Sequence, residues 1–443
     1  MILRDPVHGD IELTKEEVRL LDTVEFQRLR GIKQLGTANL VYSGATHTRF
    51  EHSIGCVHMT ERLLDAVNKN AARAPESWVP VTADERRVLR FAALLHDVTH
   101  IPFGHNIEDQ TGLLERHDVP ARFEAVLGDT QLGEALDSLG VRSEVLGVLT
   151  GRGEGMPPFW TQVLSDTIDP DLMDYLRRDA YYCGLELRYD MRVVGYFGVD
   201  RESRRLFVDC EKQGMLREDI TSELLRMLES RYHFSERVYY HHAKVAAGAL
   251  VARMVELALA DGAITPGDLQ TSTDQSLLDD LLRLGRERGL SRVVRFAERF
   301  ARRQLPKRVV VLPVYSNRDL QDELITRYFA GDPTERFEWE DRMEERARAA
   351  FGRDMDVILY CPARRMQLKE ARTLVRMPGG GGEILPMSRF AEDLPRLRDL
   401  EASYPRLWKL YVFTSEADPE IRRRLQAMCL EALPDGCENA LRL

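Results

Sequence analysis

Apolar residues recur at intervals of three and four positions through about the first three hundred residues of the chain, which is the period of amphipathic helices. Few stretches in this part alternate between apolar and polar residues. One exception is RRLFVDC at residues 204–210, which predicts a strand, in a small hairpin after the turn-like residues 200–203. The pattern therefore predicts a mainly helical body with one accessory hairpin.

The C-terminal part of the chain has a different pattern. From Lys307 onward, short runs rich in β-branched and aromatic residues predict strands, and a helix is predicted from about Pro419 to Leu433. The strand runs are KRVVVLPVY, DVILYC and LWKLYVF. We therefore predict a mainly α fold, with a helical core over residues 1–305 and a smaller α/β lobe over residues 306–443.

Two unusual segments lie in or near this lobe. PGGGGE at residues 378–383 has no following Lys-Ser or Lys-Thr pair, so we interpret it as a linker rather than a phosphate-binding P-loop. ARRQLPKR at residues 301–308 is strongly basic, and such runs are more often solvated helix ends than ligand sites. It is a candidate for polyphosphate contacts only.

Composition and charge limit the kinds of molecule that this chain is expected to bind. The chain has 443 residues, 44% of them hydrophobic, so it can bury a large core. Its net charge of −10 argues against extended binding to nucleic acid, although a local basic pocket can still bind a polyphosphate. The charge therefore favours small anions as partners.

The sequence predicts neither a membrane protein nor a protein with disulfide bonds. The N-terminal MILRDPVHGDIEL lacks a basic region followed by an apolar run. No stretch reaches the roughly 18 apolar residues that a membrane span requires. The six cysteines are scattered without CxxC spacing, which favours reduced thiols. We therefore expect a cytoplasmic protein with no membrane partner.

The first residue with candidate chemistry lies near the start of a predicted helix. Thr48 and Glu51 have the spacing of a capping box, so a helix should begin there. His52 then shares a mainly apolar face with Cys56 and Met59, so its side chain should point inward. A single inward histidine is more often a hydrogen-bonded core residue than a ligand. A functional role for His52 therefore depends on its partners.

The next long helix ends in a histidine followed by an aspartate. It should begin at a second capping box, Thr82 with Glu85, and its buried face leads to His96, with Asp97 directly after it. Burying an unpaired carboxylate costs free energy, and a bound cation is the simplest compensation. A salt bridge is the alternative.

A turn rich in histidine follows this pair. In VTHIPFGH, a proline and a glycine break the helix and present His100 and His105, and Glu108 and His117 come next. Six of the chain's 11 histidines fall between His52 and His117. Exposed histidines placed by chance would explain one or two of these, so the cluster favours a catalytic site.

A short helix is well specified from Asp169 to Gly184. Asp169 suits the N-cap, and Gly184 suits the C-terminal stop. One stripe of this helix is apolar, whereas a second stripe is densely ionisable. The second stripe comprises Asp171, Asp174, Tyr175, Arg178 and Asp179. The two stripes indicate core contacts on one side of the helix and an active site on the other.

The residue types clustered in these motifs suit a divalent metal. Imidazole nitrogens and carboxylate oxygens can bind Mn, Fe, Zn or Mg, and two histidines with two aspartates leave coordination positions open for water and substrate. Such a set favours catalysis over a closed structural site. The histidines do not form a metalloprotease HExxH, and no GxSxG nucleophile elbow occurs. Metal-assisted hydrolysis is the consistent chemistry.

The motifs and their order resemble the HD-domain deoxynucleoside triphosphate triphosphohydrolases, a family that includes a vertebrate enzyme with a sterile-alpha-motif domain. The blocks that carry the resemblance are RDPVHGDIEL, LLDTVEFQRLRGIKQLG, THTRFEHSIG, LLHDVTHIPFGH, DPDLMDYLRRDAYYCGL and RVYYHH. The likeness returns more weakly at LYCPARRMQLKEARTLVR in the terminal lobe. It implies an HD-domain helical catalytic core that hydrolyses a dNTP to deoxynucleoside and inorganic triphosphate.

The resemblance also implies roles for residues around the metal. His105, supported by Glu108, would be the general acid that protonates the leaving sugar oxygen. His100 and His117 would contact phosphates, and Arg49 would neutralise phosphate charge through its planar donors. The implied metal ligands are His52, His96, Asp97 and Asp171.

The resemblance further implies contacts to the nucleoside of a dNTP substrate. These are Gln34 and Leu35 at the sugar or base, Tyr175 and Asp179 at the 2′ and 3′ positions of the sugar, and Tyr240 and His242 at the base end.

This chain departs from the family pattern at three points. Thr99 replaces a glycine that is usual in the turn after the HD pair, and it can reshape the turn that carries His100. A family activator site for a guanine nucleotide matches at Asp22, Gln27 and Arg30, which implies an activating nucleotide and a homo-oligomer. The basic residue expected shortly before the DPVHG block has no counterpart, and neither has the sterile-alpha-motif domain.

The sequence leaves three functions open. The first is a dNTP triphosphohydrolase. The second is an HD-domain phosphatase for nucleoside monophosphates or another phosphorylated metabolite. The third is a nucleotide-sensing protein with a decayed site, which the complete ligand set and His105 argue against. The depth of the pocket and the identity of the product separate the first two.

Overall fold

The structure is a computed structural model that describes residues 1–111, 114–165, 168–362, 372–378 and 382–443. Half of the PGGGGE linker, and half of the weakly matching block in the terminal lobe, lie outside the described residues. The described fold is mainly α, which confirms the predicted fold class.

The helices are numbered α1 to α19 in chain order. Those of the first three hundred residues are Lys15–Leu21, Val24–Gln27, Arg49–Arg73, Ala83–Leu95, His105–Thr111, Pro120–Val126, Gln131–Leu139, Arg142–Thr150, Pro158–Ser165, Pro170–Cys183, Glu218–Phe234, His242–Ala260, Pro266–Thr271, Asp274–Glu287 and Ser291–Ala301. The later helices are Gln321–Phe329, Thr334–Phe351, Pro395–Ser403 and Pro419–Ala432. Ser235–Tyr239 forms a π-helical turn between α11 and α12.

Short strands and 3-10 helices complete the described chain. Strands β1 to β11 are Ile2–Asp5, Gly9–Glu12, Phe197–Val199, Leu206–Asp209, Glu211–Lys212, Met215–Leu216, Lys307–Pro313, Val357–Tyr360, Leu374–Arg376, Ile384–Pro386 and Lys409–Thr414. The 3-10 helices are Arg28–Gly31, Gly36–Leu40, Met191–Tyr196, Arg318–Leu320, Met387–Phe390 and Tyr404–Leu407. The predicted hairpin exists as β3 and β4, which pair antiparallel.

Local capping chemistry sets the start of the two long helices that carry the histidines. At α3, the Glu51 carboxylate accepts from the backbone nitrogen of Thr48 at 2.6 Å. At α4, the Glu85 carboxylate accepts from the backbone nitrogen of Thr82 at 2.8 Å. Each contact satisfies a backbone donor that the helix itself leaves unpaired. Both capping boxes were predicted from the sequence alone.

Helix α3 lies at the centre of the core, packed against α4 and α10. Gly55 makes the close approach to α10 possible. A β-carbon on Gly55 would lie 2.0 Å from a carboxylate oxygen of Asp174 and 2.4 Å from a guanidinium nitrogen of Arg178. Any larger residue there would collide with these two buried side chains. The polar stripe of α10 therefore faces directly onto α3.

The strands form small sheets rather than one large layer. β1 and β2 make an N-terminal antiparallel hairpin, and β7, β11 and β8 make an antiparallel sheet in the lobe. A third sheet has the order β10-β9-β4-β3, in which β4 and β9 run parallel. This third sheet joins strands that lie more than a hundred and fifty residues apart in the sequence.

The predicted boundary between residues 305 and 306 does not separate two independent cores. Val375, Met387 and Leu397 pack into the main helical core, because the chain returns there after β8. A second core is built jointly from α12, α14 and α15 and from one face of the lobe sheet. The two parts are therefore structurally interdependent.

Buried charges also connect the two parts. Arg253 on α12 donates to Glu256 and to Glu340 of α17, and Arg336 of α17 donates to Glu256. All four side chains are almost fully buried, so their charges are compensated within this group.

Among the described residues, no helix is long and apolar enough to cross a membrane.

Candidate metal centre

The four predicted ligands meet where α3, α4 and α10 converge. Nε2 of His52 lies 2.9 Å from a carboxylate oxygen of Asp171 and 3.8 Å from one of Asp97. Nε2 of His96 lies 3.5 Å from Asp97 and 3.7 Å from Asp171. The structure therefore brings together residues from three helices that are up to 119 positions apart in sequence, from His52 to Asp171.

The donor set fits a divalent cation. Nδ1 of His96 lies 2.8 Å from the Ala93 carbonyl, which only accepts, so Nδ1 carries the proton and Nε2 presents a lone pair. Nε2 of His96 is buried and has no hydrogen-bond partner among the described residues. A buried lone pair beside two carboxylates is the environment that a cation satisfies.

Both carboxylates of this set remain ionised. Burial alone would raise the pKa of Asp97, but the Arg49 guanidinium, with His100 and His96, holds it well below its usual range. Burial likewise opposes ionisation of Asp171, but the adjacent imidazoles of His52 and His96 lower its pKa. Two charged oxygen ligands are therefore available at neutral pH.

Cys56 is a competing candidate ligand, because its sulfur groups with His52, His96 and Asp171. Its sulfur lies 3.6 Å from Nδ1 and 3.5 Å from Nε2 of His52. Equal distances to both ring nitrogens mean that the thiol is not aligned with either lone pair. Burial raises the pKa of the Cys56 thiol, so it is neutral and a weak ligand. Asp97 is the better fourth ligand.

Arg49 and His100 flank Asp97 on the side away from α10. Arg49 donates to Asp97 at 2.6 Å, and Nε2 of His100 lies 3.2 Å from the other carboxylate oxygen. Burial and the charge of Arg49 hold the pKa of His100 well below its usual range, so this imidazole is neutral. Arg49 is therefore the permanent positive charge beside the metal ligands.

The histidine turn after α4 is held in an unusual conformation. Phe103 and Gly104 both adopt left-handed backbone angles, with φ of +58° and +42°. The strained Phe103 is fixed because its backbone nitrogen donates to the buried Asp274 at 2.9 Å. Asp274 also accepts from the backbone of Lys33 at 3.0 Å, next to the predicted substrate contacts. No sequence pattern predicts this role of Asp274.

Three imidazoles form a second cluster beside the metal ligands. The rings of His100 and His117 stack with centroids 3.6 Å apart, and His105 meets His117 edge-on at 5.1 Å. Nδ1 of His117 donates to Glu108 at 2.8 Å, and Arg122 donates to the other oxygen of Glu108 at 3.1 Å. Glu108 thus bonds His117 directly, a contact that the sequence did not predict, while its support of His105 stays a prediction.

This geometry also explains the departure from the family at Thr99. The Thr99 hydroxyl donates to the His117 carbonyl at 2.7 Å, and Arg122 donates to the Thr99 carbonyl at 2.7 Å. Thr99 therefore ties the turn after α4 to the segment that carries His117. A glycine could not make the first of these bonds.

The predicted sugar contacts, Tyr175 and Asp179, lie on α10 with polar partners from other segments. Asp179 is buried, and its two oxygens accept from His47 at 2.8 Å and from the Tyr239 hydroxyl at 3.0 Å. Arg231 of α11 bonds the Tyr175 hydroxyl. His47 and Tyr239 were missed by the sequence analysis. The π-helical turn that aims Tyr239 inward is a feature often found at functional sites.

The other predicted nucleoside contacts are more scattered. The backbone nitrogen of Gln34 donates to the His47 carbonyl at 3.0 Å, and the side-chain oxygen of Gln34 is buried without a partner among the described residues. Leu35 is buried beside it. Tyr240 packs against the core of the C-terminal lobe, and His242 lies near Arg308 of the basic segment. Gln34 and Leu35 thus lie close to the sugar contacts, whereas Tyr240 faces the lobe.

The predicted activator residues lie together at the surface. Arg30 donates to the Gln27 side chain at 2.8 Å and stacks on Phe50 with its charge 3.5 Å from the ring centre. Asp22 is exposed at the end of α1. Between them, the buried Arg28 donates to the carbonyls of Val98 and His100 at 2.9 and 2.8 Å, a link that the sequence analysis missed.

Comparison with known proteins gives two family matches. Residues 49–147 match the HD domain, and residues 218–433 match the HD associated region. Three of the four predicted metal ligands lie in the first match, and Asp171 lies between the two.

Individual relatives extend this result. An uncharacterized protein, YwfO, from Bacillus subtilis is 32% identical over 58% of this chain and 55% of its own length. Another, MJ1154 from Methanocaldococcus jannaschii, is 26% identical over 93% of this chain and 78% of its own. Human deoxynucleoside triphosphate triphosphohydrolase SAMHD1 is 30% identical over 54% of this chain. The chain thus aligns with only 55% of YwfO and 42% of SAMHD1.

A solved structure shows the same fold. A hypothetical protein from Aquifex aeolicus superimposes with a TM-score of 0.66 over 96% of this chain and 99% of its own, at 21% sequence identity. The fold therefore extends over nearly the whole chain, including the C-terminal lobe.

The ligand assignment can be tested by substitution. We expect His96→Ala and Asp97→Ala to abolish stoichiometric binding of a divalent metal, because each removes one of four converging donors. Cys56→Ser should retain the metal, since the buried thiol is neutral and therefore a weak ligand. Elemental analysis of purified protein measures the result. Metal retained in Asp97→Ala and lost in Cys56→Ser would reverse the assignment of these two residues.

Proposed function

This chain contains an HD domain followed by an HD associated region, and on that premise we propose that it is a metal-dependent phosphohydrolase acting on deoxynucleoside triphosphates. The observation that carries the proposal is the convergence of four metal donors, a buried arginine and a carboxylate-bound histidine at one site. The name of the human relative supports the choice of substrate.

The metal and its protein ligands would bind the phosphate chain. A divalent cation held by His52, His96, Asp97 and Asp171 supplies Lewis acidity to a phosphoryl oxygen. Arg49 lies beside Asp97 and offers planar donors that bind phosphate oxygens. His105 and His117 line the same side of the site and extend the set of donors along the chain of phosphates. The site thus offers more hydrogen-bond donors than a monophosphate requires.

We infer that Glu108 and His117 together act as a proton donor. Glu108 accepts from Nδ1 of His117, which leaves Nε2 of that ring as the atom that can hold and release a proton. Burial alone would raise the pKa of Glu108, but the His117 hydrogen bond and the nearby charges lower it, so Glu108 stays charged and stabilises an imidazolium. We propose that His117 shares or replaces the predicted role of His105 as general acid toward the 5′ oxygen.

The sugar would be recognised by a rigid polar cluster. Asp179 is oriented by His47, which in turn stacks on Tyr182 with ring centroids 4.5 Å apart. Tyr239 and Tyr175 are anchored by Asp179 and Arg231. We propose that this cluster bonds the 3′ hydroxyl and crowds the 2′ position, which would disfavour ribonucleotides by roughly 10- to 100-fold.

The product distinguishes the proposed reaction from its alternative. With a dNTP, we expect deoxynucleoside and intact inorganic triphosphate, because His52, His96, Asp97 and Asp171 would hold a Lewis-acidic metal at the α-phosphate. Water would form a bond to the α-phosphorus as the bond to the 5′ oxygen breaks, and an imidazole would protonate that oxygen. Metal-loaded protein should be incubated with each dNTP, NTP and deoxynucleoside monophosphate, and the products resolved by chromatography. Orthophosphate as the first product, or activity on monophosphates alone, would favour the HD-domain phosphatase. Asp97→Ala is the matched inactive control.

Two substitutions decide which histidine is the acid. We expect His117→Gln to slow turnover by about 10²- to 10⁴-fold at saturating dNTP, with metal content unchanged, because a glutamine cannot donate a proton to the leaving oxygen. His105→Ala should then raise KM more than it lowers kcat. Steady-state kinetics of both variants gives the answer, and the reverse split would return the acid role to His105.

We propose further that a nucleotide binds at Asp22, Gln27 and Arg30 and promotes a homo-oligomer. Arg28 supports this, because it connects the same segment to the backbone of His100. We expect GTP or a dNTP to increase both mass and turnover of the wild-type protein, and Arg30→Ala to reduce both responses. Light scattering and activity with and without nucleotide provide the measurement. Unchanged mass and activity with every nucleotide would leave Arg30 as a partner of Gln27 and Phe50 only.

A further inference from the structure

One carboxylate behind the metal ligands is shared by four donors. Asp174 is fully buried on α10, three residues after Asp171. Its Oδ2 accepts from Nδ1 of His52 at 2.7 Å and from Nε of Arg178 at 2.8 Å. Its Oδ1 accepts from Nε2 of His8 at 2.7 Å and from a terminal nitrogen of Arg178 at 2.9 Å. Each oxygen therefore has two donors.

These bonds fix the protonation and the direction of the His52 ring. An ionised carboxylate only accepts hydrogen bonds, so Nδ1 of His52 must carry the proton. When a metal is bound, Nε2 would present its lone pair on the side of Asp171 and Asp97. A carboxylate that holds the far nitrogen of a histidine in this way orients the near nitrogen for a metal and raises its basicity.

His8 brings the N-terminal hairpin into this arrangement. His8 follows β1, and its side chain is only 1% exposed. Its backbone nitrogen donates to Asp5 at 2.8 Å, and the other oxygen of Asp5 accepts from Arg178 at 2.7 Å. The ring of His58 lies 4.8 Å from the His8 ring on its other side. The RDPVHG segment is thereby clamped onto α10 at the back of the metal site.

We propose that Asp174 and His8 are positioning residues of the metal centre: Asp174 sets the tautomer and orientation of His52, and His8 keeps Asp174 in place. The inference rests on the proposed metal site but not on the identity of the substrate. It gives the N-terminal segment a function in metal binding, although none of its residues reaches the metal ligands except through Asp174.

A purely structural role is the alternative, because buried ion pairs such as Asp174 with Arg178 commonly affect folding alone. The two roles predict different results. A structural role lowers the stability of the metal-free protein and leaves the metal affinity of the folded molecules unchanged. A positioning role weakens metal affinity in protein that is still folded.

The test compares metal affinity across matched variants. The dissociation constants for Mn²⁺ and Zn²⁺ are measured on metal-free full-length protein by competition with a chromophoric chelator, and thermal unfolding of the same samples reports folding. We expect Asp174→Asn to weaken metal binding by roughly 10- to 100-fold, the usual range for a lost partner behind a metal ligand. Asp209→Asn, which alters a buried aspartate bound to Arg376 away from this site, should leave the affinity unchanged.

The His8 variants separate hydrogen bonding from packing. His8→Leu should weaken metal binding in the same direction as Asp174→Asn but by less, whereas His8→Gln should restore it, because glutamine keeps an N–H donor for Asp174. If Asp174→Asn does not fold, the comparison of His8→Leu with His8→Gln decides between the positioning role and the structural role. Affinities within about twofold of wild type in Asp174→Asn and His8→Leu would overturn the inference and leave the metal site standing. Wild-type protein that takes up neither ion would overturn the proposed function, and this inference with it.

Discussion

Two carboxylates, the buried Asp97 and the partly exposed Asp171, lie where three helices meet, and the surrounding structure compensates their charge. Without partners, such groups would become protonated or the helices would separate. Arg49 bonds one carboxylate, and the imidazoles of His52 and His96 lie against both. The remaining buried lone pair on His96 completes a set that suits a divalent cation. The same contacts that allow the three helices to pack around these charges therefore also assemble the donors of the site.

The parts of this arrangement that depend on local sequence could be predicted. Capping boxes at Thr48 and Thr82 set the starts of α3 and α4, and Asp169 caps α10, because these contacts involve residues three positions apart. The apolar period places His52 and His96 on buried faces, and the HD pair follows from that. The mainly α fold class was correct for the same reason.

Pairings between distant segments could not be predicted in this way. The bond from Glu108 to His117 and the bond from Tyr239 to Asp179 depend on how a turn and a π-helical segment fold back, which periodicity does not encode. The predicted boundary at residue 305 was placed where the sequence pattern changes from the helical period to short β-rich runs. In the structure the chain returns to the helical core after β8, where β9 pairs with β4, and then rejoins the lobe sheet at β11.

The core shared between the helices and the lobe sheet has a consequence for how such proteins diversify. Ile101, Phe103 and Ile107, from the histidine turn and α5, pack in the same cluster as Tyr360 and Phe413 of the lobe. Replacement of an apolar side chain on that sheet would shift the backbone beneath the imidazoles without touching a ligand. Relatives could therefore differ in turnover while every residue of the site is the same. A chimera that exchanges lobes would have mismatched apolar packing directly beneath the histidine turn.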